Sequence, residues 1–154
     1  STKEMYDSIE WPIVAMLGSL IPMGIALESS GAASMLANLL YGIAKAQPPL
    51  IALGLMMTLT ILLTNLINNS AAAVMMAPVG LALATQLQLS PDPFLMGICV
   101  AASSAYMTPI GHQSNTLIMG PGGYRFADYW QLGLPLSIIT IVIGTPAIAL
   151  IWPF

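Results

Sequence analysis

Charged residues are the class that this sequence has least of. Only 6% of its 154 residues are Asp, Glu, Lys or Arg, whereas a typical soluble domain is about 25% charged. No charged residue lies between Lys45 and Asp92, between Asp92 and Arg125, or after Asp128. Such scarcity excludes a water-soluble globular domain. Uncharged runs of this length can cross the hydrocarbon core of a bilayer, which takes about 20 apolar residues.

Cysteine and basic residues are also scarce. The single cysteine, Cys99, cannot form an internal disulfide and has no partner at a metal-binding spacing. With three basic residues in all, the chain is not expected to bind nucleic acid. The sequence opens at Ser1 within a polar stretch, so we expect a fragment of a longer membrane protein.

Apolar sequence is abundant, since 57% of the residues are hydrophobic. The apolar segments show a helical period and not the alternation of membrane barrel strands, so we predict an all-α membrane protein with residues 1–154 in a single membrane domain. We predict a polar loop, an amphipathic helix along the interface, a short amphipathic stretch and four deep segments. The polar loop is predicted at residues 1–10, the interfacial helix at residues 31–47 and the short amphipathic stretch at residues 124–132. The four deep segments are residues 11–30, 50–63, 94–107 and 134–152.

Two polar stretches interrupt the apolar sequence, at residues 64–70 and 108–116. The first contains Asn65, Asn68 and Asn69. Non-helical polar backbone at membrane depth is tolerated only where protein buries it or where it lines a wet cavity. Interrupted helices of this kind form the substrate and ion sites of secondary transporters, so we predict the functional site at these two stretches.

The residue types in both stretches suit an anion and a hard cation. Helix N-termini offer free N–H groups and a positive dipole end, and Asn and Ser side chains add neutral donors. A sodium ion needs oxygen ligands, which Thr64, Asn69 and loop carbonyls can supply. The alternative is a packing or assembly subunit without transport activity, in which the asparagines only join helices through hydrogen bonds.

His112 is the only histidine of the chain. Within a membrane it could relay protons, or it could be a neutral loop residue that donates to a carbonyl. No carboxylate neighbours it in the sequence. An enzyme is not expected, because no second catalytic group accompanies this histidine.

The few basic residues predict an orientation. If Lys45 and Arg125 share one side, the positive-inside rule makes that side cytoplasmic. The N-terminal loop and the C-terminus then face outward, and residues 64–87 must enter and return from the outer side as a re-entrant hairpin. We expect a multi-pass protein of the cell membrane, inner or plasma.

Four passages together resemble the divalent anion/sodium symporter family, which carries dicarboxylates, citrate or sulfate. The likeness covers nearly the whole chain, and it rests on the order and spacing of the passages. They are Tyr-Asp-Ser-Ile-Glu-Trp at 6–11, Thr-Asn-Leu-Ile-Asn-Asn-Ser at 64–70, Thr-Pro-Ile-Gly-His-Gln-Ser-Asn at 108–115 and Gly-Tyr-Arg-Phe-Ala-Asp-Tyr at 123–129.

The resemblance implies the second inverted repeat of an elevator-type transporter, with a re-entrant helical hairpin and a broken transmembrane helix. It further implies sodium-coupled uptake of a small divalent anion, with Na⁺ as the coupling ion. A homodimer in the lipid bilayer is expected, in which the missing N-terminal repeat of the same transporter completes each site. A proton-coupled or arsenite-type anion carrier is the alternative.

The resemblance also assigns site residues. The expected substrate contacts are Asn68, Asn69, Ser70, Ser114, Asn115 and Thr116. The expected sodium ligands are Thr64, Asn69, Gly111 and Asn115. The sequence departs from the family pattern at two places: residues 68–70 read Asn-Asn-Ser where Ser-Asn-Thr is common, and His112 stands where the family often has no imidazole.

Overall fold

A computed structural model describes residues 11–154, so the predicted loop at residues 1–10 lies outside the described residues. Residues 11–154 form seven helices and no strand, which confirms the all-α prediction. The helices are α1 (Trp11–Ser29), α2 (Ala32–Ala44), α3 (Pro49–Thr64), α4 (Asn69–Leu87), α5 (Asp92–Ala102), α6 (Gln113–Met119) and α7 (Asp128–Ile151).

The helix boundaries follow from local sequence signals. Helix α3 begins at Pro49, whose fixed φ suits a first helical residue. Helix α4 begins after Asn68, whose Oδ1 accepts a hydrogen bond from Ala71 N at 2.8 Å and caps the helix. It ends at Gln88, which adopts a left-handed conformation with φ 57°.

Within residues 11–154, α4 and α7 are long and apolar enough to cross a membrane. Residues Gly18–Ser29 and helix α2 form a third candidate span if this pair, bent by 63°, is counted as one. Helix α1 continues through Pro22, and the bend lies after it at Gly31, whose φ of 77° is open to glycine. Helices α3 and α5 are apolar but shorter.

Helix α2 packs through small residues. Ala33, Ala37 and Ala44 are buried and Leu36 and Leu40 pack partly buried beside them, whereas Met35 and Leu39 are more than 60% exposed. Small residues let helix backbones approach closely in membrane proteins. The exposed side chains of Met35 and Leu39 are therefore left for lipid or for another segment of protein.

Helix α5 lies between α3 and α4, and glycines set the spacing. A Cβ atom at Gly97 would lie 2.7 Å from Leu53 of α3, and one at Gly80 would lie 2.7 Å from Ile98 of α5. Leu53 and Ile98 are almost fully buried. This close packing places the end of α3 beside the end of α5, which brings the two polar stretches together.

The interruption after α5 begins earlier than residue 108. Helix α5 ends at Ala102, and residues 103–112, which we call the break, are non-helical. The hydroxyls of Ser103 and Ser104 donate to Cys99 O and Val100 O, and such side-chain bonds compete with continued helix. The short amphipathic stretch predicted at residues 124–132 is not a separate helix, because Asp128 already opens α7.

Candidate functional site

Residues 65–68 form the turn between α3 and α4, which we call the hairpin turn, and it lies directly against the break. Gly111 of the break is buried at this contact. A Cβ atom there would lie 2.5 Å from Thr64 O and 3.3 Å from Asn65 Cα. The two polar stretches therefore meet backbone to backbone, as their shared polarity predicts.

Thr64 and Asn69 join three parts of this contact. The Thr64 hydroxyl donates to Ala102 O at 2.7 Å, at the end of α5. An Asn69 Oδ1 directed at this point would face only oxygens, so the amide is oriented with Nδ2 inward. Asn69 Nδ2 then donates toward Thr64 Oγ1 at 3.1 Å, Ala102 O at 3.2 Å and Gly111 O at 2.8 Å.

Asn65 also connects the hairpin turn with the break. Its Oδ1 accepts a hydrogen bond from Met107 N at 2.8 Å, and its backbone oxygen accepts one from the Thr108 hydroxyl at 2.6 Å. Its Nδ2 donates to Ile61 O at 2.7 Å. The sequence marks Asn65 only as one of three clustered asparagines, and its separate role depends on contacts 42 and 43 residues away.

Asn115 has a different set of contacts from the other three expected sodium ligands. Its Nδ2 donates to Ala105 O at 2.8 Å and to Thr108 O at 3.1 Å, both within the break. Its backbone oxygen accepts a hydrogen bond from the Tyr129 hydroxyl at 2.6 Å. Within residues 11–154, Thr64, Asn69 and Gly111 converge, whereas no hydrogen bond joins Asn115 to them.

The remaining expected site residues lie at helix starts. Asn68 is exposed and caps α4, and Ser70 is half-buried in its first turn. His112 caps α6, because its Nδ1 accepts a hydrogen bond from Ser114 N at 3.2 Å. The Thr116 hydroxyl donates to Pro109 O at 2.5 Å. His112, Ser114 and Thr116 are all exposed.

A cleft of about 690 Å³ lies beside this contact, between α6 and the start of α7. It shares only Asn115 with the expected substrate residues. Its lining residues are Tyr106, Asn115, Ile118, Tyr124, Asp128, Tyr129, Gln131, Leu132, Gly133 and Leu136.

Carboxylate, histidine and cysteine ligands do not cluster in the part of the chain that the structure describes. No group of three or more such residues there could hold a metal ion. A cation bound at the contact between the hairpin turn and the break would be held by neutral oxygens. Hydroxyl, amide and carbonyl oxygens suit a hard, weakly held ion better than a transition metal.

Comparison with known proteins places the chain among membrane transporters. A family model described as "Citrate transporter" matches residues 4–154, and the chain belongs to this family. The match confirms the resemblance to the divalent anion/sodium symporters. The family and the relatives are transporters and not enzymes.

Two relatives share 37% identity with the chain. One is an uncharacterized transporter of Escherichia coli (strain K12), matched over 149 residues, 97% of this chain and 24% of the relative. The other is an uncharacterized transporter of Synechocystis sp., matched over 148 residues, 96% of this chain and 24% of the relative. The chain thus spans about a quarter of the length of these relatives.

A more distant relative carries a more specific name. The probable sodium/sulfate cotransporter 3 of Chlamydomonas reinhardtii is 25% identical over 142 residues, which are 90% of this chain and 16% of that protein.

Proposed function

We propose that this chain is the C-terminal repeat of a sodium-coupled secondary active transporter that takes up a divalent anion: a dicarboxylate, citrate or sulfate. Membership of the citrate transporter family supports the anionic substrate. The names of the sodium/sulfate cotransporters of Chlamydomonas reinhardtii support sodium as the coupling ion.

The observation that carries the proposal is the position of Asn69. Its amide nitrogen lies within 3.2 Å of three oxygens, which belong to the end of α3, the end of α5 and the break. The three oxygens surround the partly positive N–H group of Asn69. The same three oxygens could surround a cation. Rotation of this amide by half a turn replaces the donor Nδ2 with Oδ1, so that Asn69 becomes a fourth oxygen ligand for sodium.

Sodium at this point links ion binding to anion binding. Neither polar stretch contains Lys or Arg, so the bound cation supplies the positive charge that a divalent anion needs. Asn68 and Ser70 lie at the N-terminus of α4, next to the proposed ion, where backbone N–H groups and the helix dipole favour an anion. Ser114, Asn115 and Thr116 contribute from the other side of the break.

The proposed architecture follows from helix lengths. Helix α3 has 16 residues and α5 has 11, whereas a spanning helix takes about 20. We infer that α3 and α4, joined by the hairpin turn, form the re-entrant hairpin, although α4 alone is long enough to span, and that α5, the break and α6 form one broken transmembrane helix. This hairpin begins at Pro49, whereas the sequence predicted it at residues 64–87. The missing N-terminal repeat, inverted relative to this one, would complete the substrate site in a homodimer that works by an elevator mechanism.

The capping role of His112 accounts for this residue without a proton relay. Its Nδ1 accepts a hydrogen bond from Ser114 N at 3.2 Å, which caps α6. No carboxylate accompanies it in the break.

Uptake into proteoliposomes tests the proposed function. The full-length transporter would be reconstituted, and uptake of labelled sulfate, succinate and citrate would be compared under an inward sodium gradient and an equal potassium gradient. We expect uptake of at least one of the three anions, driven by sodium and not by potassium. No uptake of any of them, or equal uptake in potassium, would contradict the proposal. The first result would favour a packing subunit.

A further inference from the structure

Asn65 lies at the centre of the contact between the hairpin turn and the break, yet it is only 3% exposed. Its Oδ1 is used by Met107 N and its Nδ2 by Ile61 O. Both polar atoms of the side chain therefore have protein partners inside the contact. Asn65 is not free to touch a transported anion or ion.

The hairpin turn is attached to the break at three levels. Thr64 bonds to Ala102, where the break starts, Asn65 bonds to its middle, and Asn69 bonds to Gly111 near its end. The first and third attachments use atoms that an ion bound here would recruit. The bonds of Asn65 use none of these atoms, so an ion can bind without breaking them.

We propose that Asn65 is a positioning residue that holds the break against the hairpin turn and so keeps the Ala102 and Gly111 carbonyls in place before sodium binds. The proposal rests on the sodium site proposed above. A site whose ligands are already in place loses less entropy on binding than one that must be assembled by the ion. Loss of Asn65 should therefore weaken sodium binding and leave the transport step itself largely intact.

Sodium titration of uptake tests this role in the full-length transporter. Asn65→Leu keeps the branched outline of the side chain, with a larger volume, and removes both side-chain hydrogen bonds. We expect its half-saturating sodium concentration to rise about tenfold, which corresponds to ~1.4 kcal/mol, with the maximal uptake rate little changed. A lower maximal rate with an unchanged sodium dependence would overturn the proposal.

Thr108 provides a milder variant pair, in case Asn65→Leu fails to fold. Thr108→Val removes the hydroxyl that donates to Asn65 O, and Thr108→Ser keeps it. We expect Val to raise the half-saturating sodium concentration about threefold and Ser to restore the wild-type value. Asn38→Ala is the matched asparagine control, since Asn38 is exposed and bonds to Gln86, away from this contact.

Hydrogen exchange separates this proposal from the proposed function, because it needs no transport. In sodium-free buffer, we expect Asn65→Leu and Thr108→Val to accelerate amide exchange in residues 103–112 and to leave α4 and α7 protected. Unchanged exchange in the break, or equal acceleration in every helix, would overturn the positioning role. If wild-type uptake proved independent of sodium, the proposed function would fall, and exchange would still decide the role of Asn65.

Discussion

Single residues without charge build the contact between the hairpin turn and the break. Asn69 uses one amide to reach three oxygens from separate parts of the chain. Gly111 lacks the side chain that would separate the break from Thr64. Neutral groups are less costly than charges inside a membrane, and their hydrogen bonds can be exchanged for ion contacts.

Substitution of Gly111 by alanine should separate the two polar stretches. The new Cβ atom would lie 2.5 Å from Thr64 O and 2.6 Å from Ala105 Cβ, and backbone cannot move aside cheaply. We expect a loss of stability of about 1–3 kcal/mol and a large loss of sodium-dependent uptake.

Gly42→Ala is the matched control, because a Cβ atom at Gly42 meets nothing within 4 Å. In the interior of helix α2 it should leave uptake unchanged and raise stability by about 0.5–1 kcal/mol. Thermal unfolding and uptake of both variants check the pair. Equal stability and equal uptake of the two variants would show that transport does not depend on the close approach at Gly111.

Residue identities predicted that the two polar stretches meet, and the sodium and substrate roles of their residues stay predictions. Thr64, Asn69 and Gly111 converge as expected, because polar groups buried in an apolar chain must find one another. The separate roles of Asn65 and Asn115 were not predictable from the sequence. Both depend on which carbonyls the irregular break presents, and a single sequence does not encode that geometry locally.

At the scale of elements, the break and the short helix α6 form a single interrupted segment. Helix α6 has seven residues, too few to be stable in isolation, so its start depends on its cap and its neighbours. His112 supplies that cap through Nδ1. Tyr129 of α7 attaches the first turn of α6 through Asn115 O.

Substitutions of His112 distinguish a cap from a proton relay. Asn is a good capping residue that does not titrate, so His112→Asn should retain most of the sodium-dependent uptake, whereas His112→Ala should lower stability by about 1 kcal/mol. Uptake measured from about pH 5.5 to 8, where histidine titrates, should have the same pH dependence in His112→Asn as in the wild type. A pH dependence that disappears in His112→Asn would instead indicate a relay.

Helix existence was easier to predict than helix ends and faces. The helices were predictable in the apolar segments because helical period and proline boundaries are local signals, as at Pro49. The start of the break at Ser103 was missed, because Ser103 and Ser104 lie in an apolar run of small residues that also reads as continuous helix. The packed face of α2 was also unpredictable, because large apolar residues can face lipid while alanines pack inside.

At the scale of the whole molecule, the distribution of charge predicts an orientation. Lys45 lies just after α2 and Arg125 just before α7. In the proposed architecture, one crossing (α5 to α6) separates the hairpin of α3 and α4 from the start of α7, so Lys45 and Arg125 lie on opposite sides and cannot both be cytoplasmic. With Arg125 on the cytoplasmic side, the C-terminus and Lys45 face outward, and the hairpin enters from outside.

Cysteine labelling tests this orientation. In a Cys99→Ser background of the full-length protein, Arg125→Cys should react with an impermeant thiol reagent only after the membrane is opened, whereas Lys45→Cys should react in intact cells. Pro153→Cys should react in intact cells. The reverse pattern would invert the proposed topology, including the side from which the hairpin enters.

The proposed sodium site at Asn69 decides whether this chain belongs to a sodium-coupled carrier. Thermal unfolding of the full-length protein tests this site without any assumption about the anion. Sodium at about 100 times its Kd should stabilise the wild type by ~2.7 kcal/mol, and potassium should not. Asn69→Ala should lose this stabilisation and Asn38→Ala should keep it. Equal stabilisation by potassium, or a sodium effect that survives in Asn69→Ala, would contradict a sodium site at this contact.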